Sequence, residues 1–419
     1  MKDSGIEWIG EIPESWETVR TKYIISFING YAFDSTDLVL DYNYPVIRIG
    51  DIKEGSIDYG NCQGILENDS LDAYQVLEND ILLAMSGATV GKIGMVSKTE
   101  KAYINQRVGI IRSKYSKFLY YCLSTQVFID YILLKASGSA QPNVSGYNLG
   151  EYIICFPPLP EQHAISVHLD CQCALIDSVT EKTKASIEEY KKLRQAVITQ
   201  AVTKGVRGDR PMKDSGIEWI GEIPEEWKAT KIKWLLTEQK DRSESGEEEP
   251  LSMSQKYGII PTKDMDMVPN MASSFVGAKL VGVGDLVFNK LKAHLGVFAV
   301  SQYEGLVSPD YAVYRSTGKA ALRFLEYMFK TPQCIAEFRK KSTGVGAGLT
   351  RLYTDGLYSI YIPLPSLAEQ KEIAEYIDAK CAEIDTLIAK KETFLTELES
   401  YKKSMIYEYV TGKKEVPSA

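Results

Sequence analysis

Apolar residues follow two patterns along the chain, and each pattern occurs in both halves. Short runs rich in β-branched residues and punctuated by glycine predict strands at 46–52, 81–85, 108–112, 281–289 and 311–314. Stretches with mixed apolar spacing predict helices at 118–134 and 320–340. This mixture of strands and helices predicts an α+β fold class, with one globular domain in each half.

Two further stretches carry apolar residues at alternating steps of three and four, which is the spacing of a coiled-coil seam. Each follows a proline-rich hinge, at 156–160 and 362–365, where prolines prevent a helix or central strand from continuing. Glu161-Gln162 and Glu369-Gln370 then open the predicted helices. At about 44 residues, each helix would be roughly 66 Å long. Because its other faces are polar, each helix needs a partner, and we expect that partner to be the other helix.

The two predicted helices match at a constant offset of 208 residues, with polar interruptions of the seam at Gln172, Thr183 and Lys391. Antiparallel packing of these direct repeats predicts a pseudo-two-fold tandem repeat whose globular domains are separated by the helices. The matched seam positions are Ile165 with Ile373, Leu169 with Ile377, Ile176 with Ile384, Val179 with Leu387, Leu193 with Tyr401 and Val202 with Val410.

A repeated phrase opens each half of the chain. Residues 1–16 read MKDSGIEWIGEIPESW and residues 212–227 read MKDSGIEWIGEIPEEW, so only Ser15 and Glu226 differ. An internal repeat of this kind predicts a duplicated architecture. The predicted segments are a first globular domain at 1–155, a hinge and long helix at 156–211, a second globular domain at 212–361, and a second hinge and helix at 362–419.

The globular parts share only a skeleton between the repeated phrase and the helix. Asp80 aligns with Asp285, Gly91 with Gly296, and Arg112 with Arg315, whereas the intervening loops differ widely. Because the shared skeleton carries different loops in the two halves, the sequence predicts two domains that recognise two different targets.

The charge balance limits how such a chain could bind nucleic acid. The 419 residues include 48 Lys and Arg against 56 Asp and Glu, a net charge of −8, whereas a simple DNA-binding domain is usually basic. Binding would therefore need local basic patches or a partner that neutralises phosphates. The seven cysteines are scattered, and a structural zinc site normally needs four paired ligands, so we favour reduced thiols over a metal site.

The sequence shows no export or membrane pattern. Its start is polar, without the pattern of a signal peptide. No run approaches the ~20 apolar residues that span a bilayer. We therefore expect a cytoplasmic protein with no membrane partner.

Enzyme signatures are incomplete throughout the sequence. The segment SGATVGK at 86–92 lacks the spacing of a phosphate-binding loop, and Leu349 falls where a dinucleotide-binding pattern needs glycine. The Phe156-Pro157-Pro158 segment lacks the amide residue expected in an adenine methyltransferase loop. With three histidines in the chain, acid–base chemistry has few candidates. These gaps predict a protein without catalytic residues of its own.

Several phrases together resemble the specificity subunit of type I restriction–modification enzymes, over essentially the whole chain. In the first half these phrases are SGIEWIGEIPESW, VIRIGDIK, SGATVGKIGMV, NQRVGIIR and SAQPNVSGYNLGEYIICFPPLPEQ. In the second half they are VFNKLKAHLGVFAVSQYEGLVSPDYAVYR and GLTRLYTDGLYSIYIPLPSLAEQ.

The resemblance implies that each globular domain is a target-recognition domain for one half of an interrupted site in double-stranded DNA. It implies that the helices set the gap and dock two methyltransferase subunits, and that restriction subunits complete the nuclease. S-adenosylmethionine, ATP and Mg²⁺ are then expected on the partners. The chain itself would be non-catalytic and would bind no cofactor.

Side chains that could contact phosphates or base edges lie in polar loops of both domains. In the first domain the candidates are Arg48, Lys53, Ser86, Thr89, Lys92, Asn105, Gln106, Arg107, Gln141 and Asn143. In the second domain they are Asn289, Lys290, Lys292, His294, Arg315, Arg339, Lys340, Lys341 and Arg351.

Structural roles remain open for several of these residues. Arg48 and Arg112 could be strand-end salt-bridge partners. Residues 339–341 could be the solvated end of a helix, and His294 a satisfied polar residue. The acidic segment 238–249 is interpreted as a mobile loop that faces away from DNA.

Two other classes of protein fit parts of the pattern. A coiled-coil scaffold with two protein-binding heads would have the same repeat, and a nuclease or methyltransferase could be too divergent to recognise. The unlike loops, rich in Lys, Arg, Asn and Gln, favour a DNA-specificity module over both.

Overall fold

The computed structural model describes residues 1–34, 36–53, 55–66, 69–97, 101–136, 143–267, 274–344 and 350–417. They form two compact units. Unit 1 comprises residues 1–183 and 392–419, and unit 2 comprises residues 184–391. Each long helix is therefore divided between the two units.

Strands and short helices follow one another in nearly the same order in both units. The elements up to the first long helix are β1 (Lys2–Asp3), β2 (Glu11–Ile12), β3 (Glu17–Arg20), β4 (Ser26–Asn29), β5 (Tyr44–Ile47), β6 (Gln63–Ile65), β7 (Ile81–Ala84), β8 (Ile93–Met95), β9 (Tyr103–Ile104), β10 (Val108–Arg112), α1 (Ser116–Leu123), α2 (Gln126–Ala136), α3 (Gly146–Gly150), β11 (Ile153–Phe156) and α4 (Leu159–Lys204).

The second series ends in the second long helix. It consists of β12 (Met212–Asp214), β13 (Glu222–Pro224), β14 (Lys228–Lys231), β15 (Leu236–Gln239), β16 (Leu251–Ser254), β17 (Gly258–Pro261), β18 (Lys279–Val281), β19 (Leu286–Asn289), β20 (Phe298–Val300), β21 (Gly305–Val307), β22 (Tyr311–Ser316), α5 (Leu322–Phe329), α6 (Pro332–Lys341), β23 (Thr343–Gly344), β24 (Thr350–Arg351), α7 (Thr354–Tyr358), β25 (Tyr361–Leu364) and α8 (Leu367–Val410).

A four-stranded antiparallel sheet forms the centre of each unit, with the order β4-β10-β7-β8 in unit 1 and β15-β22-β19-β20 in unit 2. In β7, Ile81 and Leu83 face one hydrophobic cluster while Leu82 and Ala84 face another. Both faces of the strand are therefore buried, which explains its uninterrupted apolar sequence. The predicted α+β fold class is confirmed.

The skeleton shared by the two halves includes an ion pair between a buried aspartate and a more exposed arginine, at the same place in each sheet. Arg112 Nη2 lies 2.7 Å from Asp80 Oδ2, and Arg315 Nε lies 2.8 Å from Asp285 Oδ1. In both units the aspartate precedes the second sheet strand in sequence, and its carboxylate also accepts a backbone N–H, from Leu77 or Gly282. The pair therefore fixes the turn before β7 or β19 to the neighbouring strand.

The long helices begin two residues earlier than predicted, at Leu159 and Leu367. Pro160 lies in the first turn of α4, where its missing N–H would have no helical acceptor. A buried glutamine binds a backbone carbonyl of each hinge. Gln162 Nε2 donates to Pro157 O at 2.8 Å, and Gln370 Nε2 donates to Pro365 O at 3.0 Å.

Segments of the two long helices run antiparallel within each unit. In unit 1, Lys402 Nζ lies 2.6 Å from Asp177 Oδ1. In unit 2, Arg194 Nε lies 3.0 Å from Asp385 Oδ1, and Nη2 of Arg207, which follows the end of α4, lies 2.7 Å from Glu372 Oε2. As the residue number rises on α4 it falls by the same amount on α8, so the pairing register is constant.

The predicted seam is correct at the ends of the helices and wrong in the middle. Ile165, Leu169, Ile373, Ile377 and Val202 are buried, but Val179, Leu193, Leu387 and Tyr401 are exposed. Thr183, predicted as an interruption, is buried together with Ile187. Its hydroxyl donates to Val179 O at 2.8 Å, which removes the cost of burying it.

Candidate nucleic-acid interface

One end of the central sheet in unit 1 gathers loops from three parts of the sequence. β7 ends opposite the start of β10, because Ala84 pairs with Val108. Met85 N then donates to Arg107 O at 2.9 Å, and Val144 N donates to Met85 O at 3.0 Å. We call the set of residues 85–92, 105–107 and 143–144 edge 1.

Edge 1 contains most of the candidates from the first domain, with unequal exposure. Gln106, Arg107 and Asn143 are exposed, and Lys92, Asn105 and Thr89 are half-buried. Within the described residues, no carboxylate pairs with Arg107 or Lys92. Ser86 Oγ and Thr89 Oγ1 are buried and have no hydrogen-bond partner among the described residues. The exposed amides and Arg107 are therefore the side chains that a DNA groove could reach first.

Arg48 and Lys53 lie beside edge 1 and are partly engaged within the protein. Arg48 follows β5, whose last carbonyl accepts a hydrogen bond from Asn105 N at 2.9 Å. Its guanidinium donates to Gln63 at 2.9 Å and lies 3.7 Å from Asp51. Lys53 donates to Gly50 O at 2.9 Å and lies 3.8 Å from Asp58. The candidate Gln141 lies outside the described residues.

The corresponding end of the sheet in unit 2 is built in the same way. Asn289 pairs with Tyr311 at the end of β19, and Leu352 N donates to Lys290 O at 3.0 Å. This bond corresponds to the one between Val144 and Met85 in unit 1. We call the set of residues 289–297, 339–344 and 350–353 edge 2.

Edge 2 presents a different group of side chains. Lys292 is exposed, and His294 is half-buried, with a buried Nδ1 atom that has no hydrogen-bond partner in the described part of the chain. Arg351 lies 3.0 Å from Asp310, with its guanidinium 5.8 Å from the centre of the Tyr353 ring. Tyr353 is exposed and was not predicted from the sequence, although an aromatic residue next to Arg351 is a recognisable signal for base stacking.

The hairpin β23–β24 brings the end of α6 to edge 2, because Thr343 pairs with Arg351. Arg339 and Lys341 are exposed and form no ion pair within the described part of the chain. Lys340 lies 2.7 Å from Glu337 on the same helix. Three cations therefore extend edge 2, one of them partly neutralised.

Arg315 is the candidate that the structure keeps apart from edge 2. It lies near the far end of β22, four residues beyond Tyr311, or roughly 13 Å along a strand. Its Nε and Nη2 atoms both bond to Asp285. The guanidinium therefore supports the sheet, as Arg112 does in unit 1.

The prediction of a mobile acidic loop at 238–249 is wrong at its start. Glu238 lies in β15, and its carboxylate accepts hydrogen bonds from Lys279 Nζ at 3.1 Å, Lys290 Nζ at 3.3 Å and Thr354 Oγ1 at 2.5 Å. Burial opposes its ionisation, but the bonds to Thr354 and Lys279 and both lysine charges outweigh burial and lower the pKa of Glu238. Glu238 thus holds the ammonium group of Lys290, a residue of edge 2.

Sequence reasoning missed this role of Glu238 because its partners are distant in the chain.

Within the described residues, no group of three or more His, Cys, Asp or Glu side chains could hold a metal ion. No helix in the described ranges is long and apolar enough to cross a membrane.

A sequence model of the type I restriction modification DNA specificity domain matches residues 13–189 and again residues 224–397. The two matches cover most of the chain, one in each half. The chain belongs to this family. The resemblance drawn from its sequence phrases is thereby confirmed, as is the internal repeat.

Relatives in the specificity family match the chain along nearly its whole length. The type I restriction enzyme MjaVIII specificity subunit of Methanocaldococcus jannaschii is 24% identical over 427 residues, covering 96% of this chain and 93% of that protein. The type I restriction enzyme EcoKI specificity subunit of Escherichia coli K12 is 22% identical over 439 residues, covering 96% and 90%.

Solved structures show the same fold at lower identity. The HsdS subunit from Thermoanaerobacter tengcongensis has a TM-score of 0.56 at 16% identity, covering 96% of this chain and 98% of that one. A chain from a type I restriction–modification system, studied for complex assembly and conformational transition, reaches 0.71 at 15% identity, with 96% and 100% covered. The duplicated α+β architecture with long helices is therefore that of the specificity family.

Proposed function

We propose that this chain is the DNA-reading subunit of a type I restriction–modification enzyme, and that edges 1 and 2 each read one half of an interrupted double-stranded site. One observation carries the proposal. The same backbone bond closes both edges, from Val144 to Met85 and from Leu352 to Lys290, while the exposed side chains differ. A shared frame with different polar side chains is what two readers of different half-sites require.

The side chains of the two edges have the chemistry of base readout. Asn and Gln amides can bond adenine in a bidentate way, and arginine can bond guanine, in the major groove. Gln106, Asn143 and Arg107 are exposed at edge 1, and Arg351 lies beside an exposed tyrosine at edge 2. These chemistries support base contacts from Gln106, Asn143, Arg107 and Arg351, and phosphate contacts from Lys92, Lys292, Arg339 and Lys341.

The net charge of −8 favours a partner that contributes much of the phosphate contact. We infer that two methyltransferase subunits dock on the long helices and bring S-adenosylmethionine. Restriction subunits would then bring ATP and Mg²⁺. The chain would contribute no catalytic group, and its helices would fix the gap between the half-sites.

Methylome sequencing tests this function in cells that express the chain with its methyltransferase. The expected wild-type motif contains modified adenines and is split by a fixed gap. Arg107→Ala should relax one half-word, with discrimination at one position falling about 10- to 100-fold, or roughly 1–3 kcal/mol. Arg351→Ala should relax only the other half-word.

Lys114→Ala is a matched control for these variants, because Lys114 is exposed at the opposite end of β10 from edge 1. It should leave the motif unchanged. An uninterrupted motif, or a change in both half-words from Arg107→Ala alone, would contradict the proposal.

A further inference from the structure

Each unit attaches its globular part to a long helix through a hydrogen bond between tyrosine and aspartate. In unit 1, Tyr121 on α1 donates to Asp170 Oδ1 on α4 at 2.6 Å. In unit 2, Tyr327 on α5 donates to Asp378 Oδ1 on α8. Asp170 and Asp378 differ by the offset that relates the two helices, so the bond was retained in both copies while the edges diverged.

In both tyrosine–aspartate bonds the phenol is buried and the carboxylate is exposed. Tyr121 and Tyr327 are buried, and burial, followed by the bond to the aspartate, raises the pKa of each phenol. The hydroxyls therefore stay protonated and donate to the carboxylates at any physiological pH. A hydrogen bond from a buried phenol to a charged acceptor has a strongly favoured geometry, so it restricts rotation of the globular part on its helix.

Unit 2 strengthens its bond with an arginine clamp. Arg323 Nη2 donates to Asp378 Oδ1 at 2.6 Å and to the Tyr327 hydroxyl at 2.7 Å. The corresponding residue of unit 1 is Lys117, since Phe118-Leu119 aligns with Phe324-Leu325. Lys117 is exposed and, within the described residues, forms no ion pair with Asp170. Unit 1 therefore depends on a single bond where unit 2 has several.

The clamp continues from the long helix into the central sheet of unit 2. Arg323 Nη1 lies 3.0 Å from Glu326 Oε2, and the same carboxylate accepts a hydrogen bond from Val300 N at 3.3 Å. Val300 ends β20, the strand that follows the loop of edge 2. A short chain of polar contacts thus runs from Asp378 to the strand next to edge 2.

We propose that Tyr121 with Asp170, and Tyr327 with Asp378 and Arg323, are positioning residues that fix the direction in which each edge is held on its helix and so select the gap length. This inference rests on the proposed function. One base pair advances about 3.4 Å and turns the duplex by roughly 35°. A small rotation at either attachment would therefore let a site with one base pair more or less be read.

The test is the gap distribution in the methylome of the complete complex. Tyr121→Phe removes the one bond in unit 1 and keeps the ring. It should leave both half-words unchanged. The ratio of methylation at sites whose gap is one base pair longer or shorter to methylation at native-gap sites should rise at least tenfold. Tyr327→Phe should have a smaller effect, because Arg323 still holds Asp378. Adding Arg323→Ala to Tyr327→Phe should enlarge the effect to that of Tyr121→Phe.

Tyr23→Phe is the matched control, because Tyr23 is 72% exposed in unit 1; its hydroxyl makes no hydrogen bond within the described part of the chain. It should leave the gap distribution as in wild type. If Tyr121→Phe fails to fold, Asp170→Asn replaces it, since the amide oxygen still accepts a weaker bond.

The outcomes separate this inference from the proposed function. An interrupted wild-type motif whose gap stays fixed in every variant overturns the positioning role and leaves the function standing. A uniform loss of methylation at all gap lengths also overturns it, because a merely structural bond would act in that way. A wild-type motif without a gap overturns the proposed function itself.

Discussion

The residue that lies beneath each edge is apolar in unit 1 and charged in unit 2. Phe27 pairs with Ile111, and Glu238 pairs with Tyr314, so they occupy equivalent places in the two sheets. A Cβ on Gly146 would lie 2.4 Å from the Phe27 ring, which therefore lies against that glycine. In unit 2 the position of Gly146 is Thr354, whose hydroxyl bonds to Glu238.

A third position changes together with these two. A Cβ on Gly109 would meet both the Phe27 ring and Met85 Sδ, so these two side chains lie over the same glycine. In unit 2 the position of Met85 is Lys290, which bonds to Glu238. Phenylalanine, methionine and glycine thus correspond to glutamate, lysine and threonine. The fold therefore requires contacts that join the first sheet strand, the edge and the small helix that follows. Either an apolar or an ionic set of side chains can supply these contacts if all three positions agree.

Removing only the carboxylate should give the largest effect. Glu238→Leu leaves the buried Lys279 and the half-buried Lys290 without their partner, so the free energy of unfolding of unit 2 should fall by about 3–5 kcal/mol. Urea titration of the full chain, followed by a probe in unit 2, measures this loss. Adding Lys279→Met and Lys290→Met should recover most of it, and a triple variant as unstable as Glu238→Leu would refute the comparison.

A side chain at the glycine of unit 1 should cost less. Gly146→Ala places a methyl group against Phe27, and overpacking of this size costs about 1–3 kcal/mol. Phe27→Leu in the same chain should restore part of the loss in thermal melting. Gly50→Ala is the control, since no atom lies within 4 Å of a Cβ at that glycine. Equal effects of the two alanine variants would argue against close packing at Gly146.

The smallest effect should depend on pH and occur only in unit 2. Because the pKa of Glu238 is lowered from its ordinary 4.5, ionisation stabilises the folded state above that pH, and this contribution is lost as pH falls through the lowered value. Glu238→Gln should therefore be less stable than wild type at pH 7, by about 1 kcal/mol, which is less than for Glu238→Leu because the amide oxygen can still accept hydrogen bonds. The difference should shrink below about pH 4, and a constant difference down to pH 3 would exclude this origin.

The central strands could be predicted from the sequence because burial on both faces leaves a continuous apolar run, as in β7 and β19. The Asp80–Arg112 and Asp285–Arg315 pairs were visible as aligned residues, and a salt bridge was foreseen for Arg112 without its partner being named. β15 was not predicted, and its last two residues, which include Glu238, were taken as part of an acidic loop. Its lysine partners are 41 and 52 residues further along the chain, so no local pattern reveals that its charge is compensated.

The edges were predicted as sets of loops but not as exposed surfaces. Sequence selects Ser86 and Thr89 for their hydroxyls, yet the turn after β7 directs both oxygens inward. The middle of the helix seam failed for a similar reason. An α-helix drifts by about 20° per heptad from a strict seven-residue repeat, so which residues face the partner depends on the packing of the two helices. The roles of the candidate residues in DNA binding stay predictions.

The constant register of the long helices has a consequence for how this protein can change length. Ion pairs such as Asp177 with Lys402 and Arg194 with Asp385 tie a position on α4 to one position on α8. Deletion of one residue from one helix alone would shift the register of every ion pair beyond it, and the apolar contacts would shift by the same step. Viable insertions and deletions should therefore occur together in both helices and be of equal length, so that the two distant gene segments change length jointly.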